Sequence, residues 1–149
     1  MSIDNNIMKQ IAEQASPLSS LEAQNKLVYV CSPLRGDIAG NIEKANGYCR
    51  EIALKGNIPL APHCVFTQYL NDNNPKEREL GIKMGLNLLN KCDYIVICGD
   101  RISEGMLSEL YHAYSLEIPV LYYDDEVAEM LMKSAGSFCD RSYEMDNCL

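Results

Sequence analysis

The segment SPLRG, residues 32–36, places a hydroxyl, a guanidinium and a glycine directly after an apolar run. Ser32, Arg35 and Gly36 could bind a phosphate, because arginine offers two parallel N–H donors and a glycine-containing turn exposes backbone N–H groups. A structural arginine paired with a carboxylate would give the same pattern. The segment lacks the spacing of a P-loop or of G-x-G-x-x-G, so it does not indicate ATP or NAD by those routes.

A second polar group lies in GDRISEGMLSELYHAY, residues 99–114. Ser103, Glu104 and Gly105 are expected in the first turn of a helix, where free N–H groups favour an anion. Glu109 follows one turn later, between apolar residues. Its carboxylate could face a cleft and act as a nucleophile, or it could be a solvated surface group.

Three further side chains are candidates for the same site. His63 and Asp100 each follow a predicted strand, whereas Tyr29 lies inside one and is expected to be buried with its hydroxyl hydrogen-bonded. A single histidine at such a position could equally have a structural role. The chain has two histidines, and its seven cysteines include no C-x-x-C pair. We therefore expect no metal site. The chemistry considered for these residues requires no organic cofactor either.

Composition limits the classes of function. A chain of 149 residues with 47% hydrophobic and 23% charged residues is typical of one globular domain. The net charge of −8 is concentrated at the C-terminus, where the last 26 residues carry seven acidic and two basic side chains. Because no basic stripe exists, a nucleic-acid polymer is not an expected partner. The sequence has no signal peptide and no membrane-length apolar run, and its cysteines suit reduced thiols, so we expect a cytoplasmic protein without a membrane partner.

Hydrophobic periodicity predicts an alternation of strands and helices. The strands are predicted at residues 26–31, 58–61, 94–98 and 119–123, and the helices at 42–55, 75–91, 104–116 and within 124–136. Asn41 and Asn74 are the expected N-caps of the first two of these helices, and residues 62–75 are expected to form a polar loop. Leu80, Met84, Leu88 and Leu89 are expected to form the apolar face of the second helix.

This alternation predicts an α/β fold: a doubly wound, flavodoxin- or Rossmann-like parallel sheet of four to five strands in three α/β/α layers. Ligands of such sheets bind outside the carboxyl ends of the strands. The loops that follow the first three predicted strands contain all the candidate residues except Tyr29 and those of the third helix.

In this order, the segments VYVCSPLRGD, IPLAPH, RELGIKMGLNLLNKCDYIVICGDRISEGMLSE and IPVLYY resemble the nucleoside 2-deoxyribosyltransferase family. They also resemble its relatives, the 2′-deoxynucleoside 5′-phosphate N-hydrolases, and are most similar to a bacterial and phage branch of this superfamily. The resemblance covers roughly residues 26–123. It implies a deoxyribosyltransferase-like domain over residues 26–135. The expected helix and linker over 1–25 and the acidic tail over 136–149 lie outside the resemblance.

The resemblance also implies roles for individual residues. The family segment G-x-x-x-E-L-x-x-A is matched from Gly105 onward, which implies that Glu109 is the nucleophile on the sugar. The hydrolases bind the 5′-phosphate with an S-x-R-G loop after the first strand and with a serine six residues before that glutamate. The matching positions here are Ser32, Arg35, Gly36 and Ser103.

One departure from the family pattern concerns proton transfer. The relatives carry an aspartate eight residues before the aspartate that precedes the third strand, and counting back from Asp93 gives Gly85. Asp100, Glu104 or His63 could supply the proton instead, or the chain could have kept binding and lost the reaction.

The resemblance thus implies N-glycosidic-bond cleavage or deoxyribosyl transfer on a deoxynucleoside or its 5′-monophosphate. The alternative is a non-catalytic module that binds or senses a nucleotide. In either case the expected partners are a small nucleoside or nucleotide and further copies of the chain, in a dimer or larger homo-oligomer.

Overall fold

The computed structural model describes the backbone of residues 5–147 and the side chains of residues 6–136. Its helices are α1 (Asn5–Gln14), α2 (Ile38–Leu54), α3 (Pro62–Phe66), α4 (Pro75–Leu89), α5 (Glu104–Ser115) and α6 (Asp125–Asn147). Its strands are β1 (Ser16–Pro17), β2 (Leu27–Cys31), β3 (Ile58–Leu60), β4 (Tyr94–Ile97) and β5 (Val120–Tyr122). All strand pairs are parallel, in the order β1-β5-β4-β2-β3, and helices cover both faces of the sheet. The predicted three-layer α/β fold is confirmed.

The two faces of the sheet carry different helices, because successive strand residues point to opposite sides. Tyr29 of β2 and its neighbour Ile95 of β4 face a core built with α1, α4, α5 and α6. Val28 and Val96 face a second core, to which α2 contributes Ile52. We call these sides the α5 face and the α2 face. From β2 the chain adds β3 on one side, and then β4 and β5 on the other side, so the switch point of the sheet lies between the carboxyl ends of β2 and β4.

The N-terminal segment belongs to the same sheet. The predicted N-terminal helix is present as α1, and its Met8 and Ile11 are buried in the core of the α5 face. The predicted linker that follows contains β1, which pairs with β5 through Ser16 and Leu121. The prediction of a linker without a strand was therefore wrong. The two residues of β1 are too few to show the alternation that marks a strand in the sequence.

The start of α2 also differs from the prediction. The helix begins at Ile38, and its N-cap is Asp37, whose Oδ1 accepts a hydrogen bond from the Gly40 N–H at 3.1 Å. Asn41, the predicted cap, is instead a buried helical residue. Its Nδ2 donates to the carbonyl oxygens of Leu34 and Arg35, at 2.9 and 3.3 Å. Asn41 thus holds the loop that follows β2.

Residues 62–75 are not entirely loop, since α3 occupies their first five positions. Asn74 caps α4 as predicted, with Oδ1 accepting from the N–H groups of Lys76 and Glu77. The predicted apolar face of α4 is wrong in part, because Leu80 is 48% exposed whereas Gly85 and Leu89 are buried. The helix therefore turns its glycines, rather than Leu80, towards the protein.

At the C-terminus, α6 runs on to Asn147, so the backbone is helical through most of the segment predicted as a loose acidic tail. The side chains of residues 137–149, Cys139 and Cys148 among them, lie outside the described residues. The five cysteines whose side chains are described are free thiols, and three of them are buried. No helix in the described part of the chain is long and apolar enough to cross a membrane.

Candidate active site

A cleft of about 500 Å³ opens on the α5 face at the carboxyl ends of β2 and β4. Its walls come from the loop after β2, from α3 and α4, and from the first turns of α5. Most of the candidate residues line it: Tyr29, Ser32, Arg35, His63, Ser103, Glu104, Gly105 and Glu109. Four segments that are distant in sequence therefore meet around one cavity.

Glu109 lines this cleft from α5. Helix α5 packs on the sheet through Met106 and Ala113, and Glu109 shares their side of the helix because residues three and four apart lie on one face. Burial raises the pKa of the Glu109 carboxyl to about 7, although hydrogen bonds with Tyr29 and Cys31 act to lower it. Glu109 is thus a partly buried carboxyl that lines the cleft, and it is not a fully solvated surface residue.

Tyr29 supplies the first of these hydrogen bonds from β2. Its side chain is 4% exposed, and burial together with the charge of Glu109 raises the pKa of its hydroxyl. The hydroxyl therefore stays protonated and donates to the carboxylate. A Cβ added at Gly85 on α4 would lie 3.2 Å from this hydroxyl oxygen. Gly85 thus provides space for Tyr29.

Two serine hydroxyls face the cleft from different elements. Ser32 is buried after β2, and its Oγ lies 3.2 Å from Nε2 of His63 on α3. Ser103 is the N-cap of α5, and its Oγ accepts from the Met106 N–H at 3.3 Å. Because Ser103 and Gly105 border the N-terminus of α5, this side of the cleft suits an anion.

Arg35 lies beside these serines and is already paired with a carboxylate. Its Nε donates to Oδ2 of Asp72 at 3.1 Å, and its Nη2 donates to the Asp72 carbonyl at 3.2 Å. The ion pair holds the guanidinium at the wall of the cleft while half of the side chain stays exposed. Both interpretations of SPLRG therefore have support: Arg35 has a structural partner and also faces the cavity.

Residues 26–123 match the model of a family described as a domain of unknown function, DUF7768. The chain belongs to this family. No curated protein matches the sequence. Among solved structures, a 2-deoxyribosyltransferase from the psychrotolerant bacterium Bacillus psychrosaccharolyticus is similar, with 21% identity and a TM-score of 0.49. The similarity covers 64% of this chain and 70% of that chain.

Two candidate residues of the DUF7768 domain lie elsewhere. Gly36, with φ +102°, is not among the residues that line the cleft, and it lies in the loop after β2, where the guanidinium of Arg101 donates to the carbonyl of Arg35. Asp100 lines a separate cavity of about 200 Å³ on the α2 face, and its side chain is 78% exposed. The expectation that Asp100 shares a site with Glu109 was wrong, because the loop after β4 places this side chain on the other side of the sheet.

The cleft of the DUF7768 domain also contains residues that the sequence analysis did not single out. Asp72, Glu77 and Arg78 are polar, whereas Leu34, Leu70, Ile82 and Leu86 supply apolar wall. In the sequence, the signal for this cleft was the glycine pair Gly81 and Gly85. The two lie four residues apart on one side of α4, and two residues without side chains leave room for a cavity.

His63 lines the cleft from α3. Burial lowers the pKa of His63 below its usual value, so the imidazole is mostly neutral at pH 7.

Among the side chains of residues 6–136, no three His, Cys, Asp or Glu residues lie where they could share a metal ion.

Proposed function

We propose that this DUF7768 protein cleaves the N-glycosidic bond of a deoxynucleoside or its 5′-monophosphate, or transfers the deoxyribosyl group, with Glu109 as the nucleophile. The observation that carries the proposal is the partly buried Glu109 carboxyl that lines the cleft together with Tyr29, Ser32 and Ser103. The cleft volume of about 500 Å³ lies within the range of small-molecule sites. The match of the Glu109 segment to G-x-x-x-E-L-x-x-A is the sequence support.

The proposed reaction is a double displacement at the sugar carbon C1′. The ionised Glu109 carboxylate attacks C1′ as the bond from C1′ to the base nitrogen breaks, and the base leaves with the bonding pair and then takes up a proton. Water, or a second base, attacks C1′ of the resulting glycosyl ester and releases Glu109. A carboxylate suits this chemistry because C1′ carries positive charge in the transition state.

The 5′-phosphate would bind at the side of the cleft formed by Ser32, Ser103 and Arg35. Hydroxyls, the N-terminus of α5 and a guanidinium all favour a phosphate. Because Asp72 neutralises part of the Arg35 charge, we expect a moderate preference for monophosphates over nucleosides.

Protonation of the leaving base is the weak point of the proposed mechanism. Gly85 has no proton to give, and Asp100 lines the other cavity. Of the three alternatives, His63 and Glu104 line the cleft, and His63 is a poor acid at neutral pH because burial lowers its pKa. A missing general acid typically costs about 10²–10⁴-fold in rate, so slow turnover is expected.

Gly85 also favours a second candidate function, in which the domain binds or senses a nucleotide without turning it over. The anion-favouring side of the cleft would be retained, and only the reaction would be lost. This candidate and the first share a ligand class and differ in whether a base is released.

We further propose that the chain forms a homo-oligomer. Four large apolar side chains of the α3–α4 region, Val65, Tyr69, Leu80 and Ile82, are about half exposed or more. When such exposed apolar side chains form one patch, they are typical of a surface that another protein molecule covers. Gel filtration with light scattering should give at least a dimer at micromolar concentration, and a monomer would contradict the proposal.

The test of function is a chromatographic assay of free base released from the four deoxynucleoside 5′-monophosphates and the four deoxynucleosides. Glu109→Ala is the essential control, and Asp100→Asn is the matched loss of a carboxylate from the other cavity. Release that disappears in Glu109→Ala and persists in Asp100→Asn supports the enzyme. Release that persists in Glu109→Ala removes the assigned role. No release, together with thermal stabilisation by a nucleotide, supports the binding module.

A further inference from the structure

Ser32 and His63 form a hydrogen-bonded pair in the wall of the cleft. Oγ of Ser32 lies 3.2 Å from Nε2 of His63, and both side chains line the cavity. Ser32 is 8% exposed, and among residues 6–136 its hydroxyl has no hydrogen-bond partner other than this imidazole. The direction in which the hydroxyl points its proton therefore depends on His63.

Helix α3 holds the imidazole in this place. The helix begins at Pro62, a buried residue whose ring fixes the backbone φ angle at the first helical position. One turn later, Oγ1 of Thr67 donates to the carbonyl oxygen of His63 at 2.5 Å. His63 thus approaches Ser32 from a backbone that is restrained on both sides.

The pair can form its hydrogen bond in two directions. Burial lowers the pKa of His63, so at pH 7 the ring is mostly neutral and has one N–H donor and one acceptor nitrogen. If Nε2 is the acceptor, the Ser32 O–H is used on the imidazole. If Nε2 has the proton, it donates to Oγ, and the single O–H of Ser32 is free to donate elsewhere.

A phosphate in the cleft would select the second direction. At pH 7 the oxygens of a phosphate monoester are mostly ionised and accept hydrogen bonds. Ser32 can donate to such an oxygen and keep its bond to His63 only if Nε2 is the donor. The tautomer with the proton on Nε2 is therefore the one that completes the side of the cleft near Ser103 and Arg35.

We propose that His63 is a positioning residue for the 5′-phosphate: its Nε2–H donates to Oγ of Ser32 and thereby directs the Ser32 hydroxyl at a phosphate oxygen. This inference rests on the phosphate site of the proposed function. It gives His63 a role that needs no proton transfer to the leaving base.

Substitutions at His63 test the pair in the full chain by isothermal titration calorimetry. His63→Ala removes the donor, and His63→Gln restores one, because a glutamine side-chain amide can place an N–H where Nε2 lies. Of dAMP, dCMP, dGMP and dTMP, each one that the wild type binds should bind His63→Ala about three- to tenfold more weakly, whereas the affinity for the matching deoxynucleoside should change by less than about twofold. His63→Gln should recover most of the loss. His112→Ala removes the other histidine of the chain, in the last turn of α5, and should bind as the wild type does.

A double-mutant cycle shows whether the effect passes through Ser32. Ser32→Ala should itself weaken the monophosphate by about tenfold. In the Ser32→Ala background, His63→Ala should have almost no further effect, since the two residues act as one pair. Additive losses would overturn the positioning role, and so would a loss that His63→Gln does not recover or one that is equal for the monophosphate and the deoxynucleoside.

These titrations are independent of turnover, so the inference and the proposed function can fail separately. A wild type that releases no base, but whose monophosphate affinity depends on the Ser32–His63 pair, removes the reaction and keeps the positioning role. Release of base by a wild type that binds monophosphates and deoxynucleosides equally well removes the role of His63 and keeps the reaction. A wild type that binds none of the eight ligands overturns both.

Discussion

The two cavities at the carboxyl edge of the sheet share Ser32 but hold their carboxylates in different states. The cleft on the α5 face contains Glu109, which is partly buried and whose carboxyl has a pKa that burial raises to about 7. The smaller cavity on the α2 face contains Asp100, Asp124 and Glu126, beside Lys44 and a pair of tyrosines. The position of a carboxylate at the edge of an α/β sheet therefore does not by itself indicate its chemistry.

At the α2-face cavity, the acidic side chains either accept hydrogen bonds from protein groups or are exposed to solvent. Oδ1 of Asp124 accepts from the Val127 N–H at 2.9 Å and so caps the first turn of α6. The Tyr123 hydroxyl is hydrogen-bonded to Glu51, and this contact, with burial, raises the pKa of that hydroxyl. Asp100 is mostly exposed. Glu109, in contrast, has a carboxyl whose pKa burial raises to about 7.

The largest expected difference between the cavities is in pH dependence. Glu109 must be ionised to attack, and its pKa is raised to about 7. Half of the carboxyl is ionised at that pH, and well below it the ionised fraction falls about tenfold per pH unit, so kcat/KM should fall by about 50-fold between pH 7 and pH 5. A pH–rate profile of base release measures this.

The direction of the pH effect is informative. Asp100→Asn should keep the wild-type profile, because Asp100 lies in the other cavity. Activity that instead falls as the pH rises through 7 would identify Glu109 as a proton donor and would contradict its role as nucleophile.

A smaller difference is expected in phosphate binding. Arg35→Ala removes a guanidinium from the wall of the cleft and should weaken a deoxynucleoside 5′-monophosphate by about tenfold, since charge-assisted hydrogen bonds contribute about 1.5–3 kcal/mol and Asp72 offsets part of this. The matching deoxynucleoside should bind almost as before. Isothermal titration calorimetry measures both affinities.

Lys44→Ala is the matched control for Arg35→Ala, because Lys44 is a cation of the α2-face cavity. Equal weakening by the two substitutions would show that the effect is one of overall charge, and the phosphate site would not lie beside Arg35.

The smallest expected effect concerns stability. Asp124→Ala removes the cap of α6 and should lower the free energy of unfolding by about 1 kcal/mol, with base release unchanged. Thermal unfolding and the base-release assay measure the two quantities. Loss of activity without loss of stability would place the α2-face cavity in the function of the protein.

Much of this fold could be predicted because its signals are local. The continuous apolar run of β4, the cap of α4 by Asn74 and the apolar positions of α5 each depend on residues within a few positions of one another. The resemblance added the expectation of Glu109 beside Ser32, Arg35 and Ser103, and the structure brings these side chains to one cleft. Their roles in binding and catalysis stay predictions.

The errors concern choices between local signals of similar strength. Asp37 and Asn41 are both good N-cap residues, and Asp37 is the one that caps α2. Asn41 is buried instead, because its side-chain amide donates to carbonyl oxygens of the loop after β2. Leu80 fits a helical apolar face, but α4 approaches the protein through its glycines, since Gly85 admits the Tyr29 hydroxyl.

The sequence by itself determined the alternation of elements, the parallel sheet and the edge at which polar residues gather, because periodicity and connection rules act within short stretches of chain. Only the tertiary structure decided that Asp100 lies across the sheet from Glu109, that Asp72 pairs with Arg35, and that Tyr29 lines the same cleft as Glu109. These contacts join residues far apart in sequence. The burial that raises the pKa of Glu109 likewise exists only once β2, α4 and α5 have packed together.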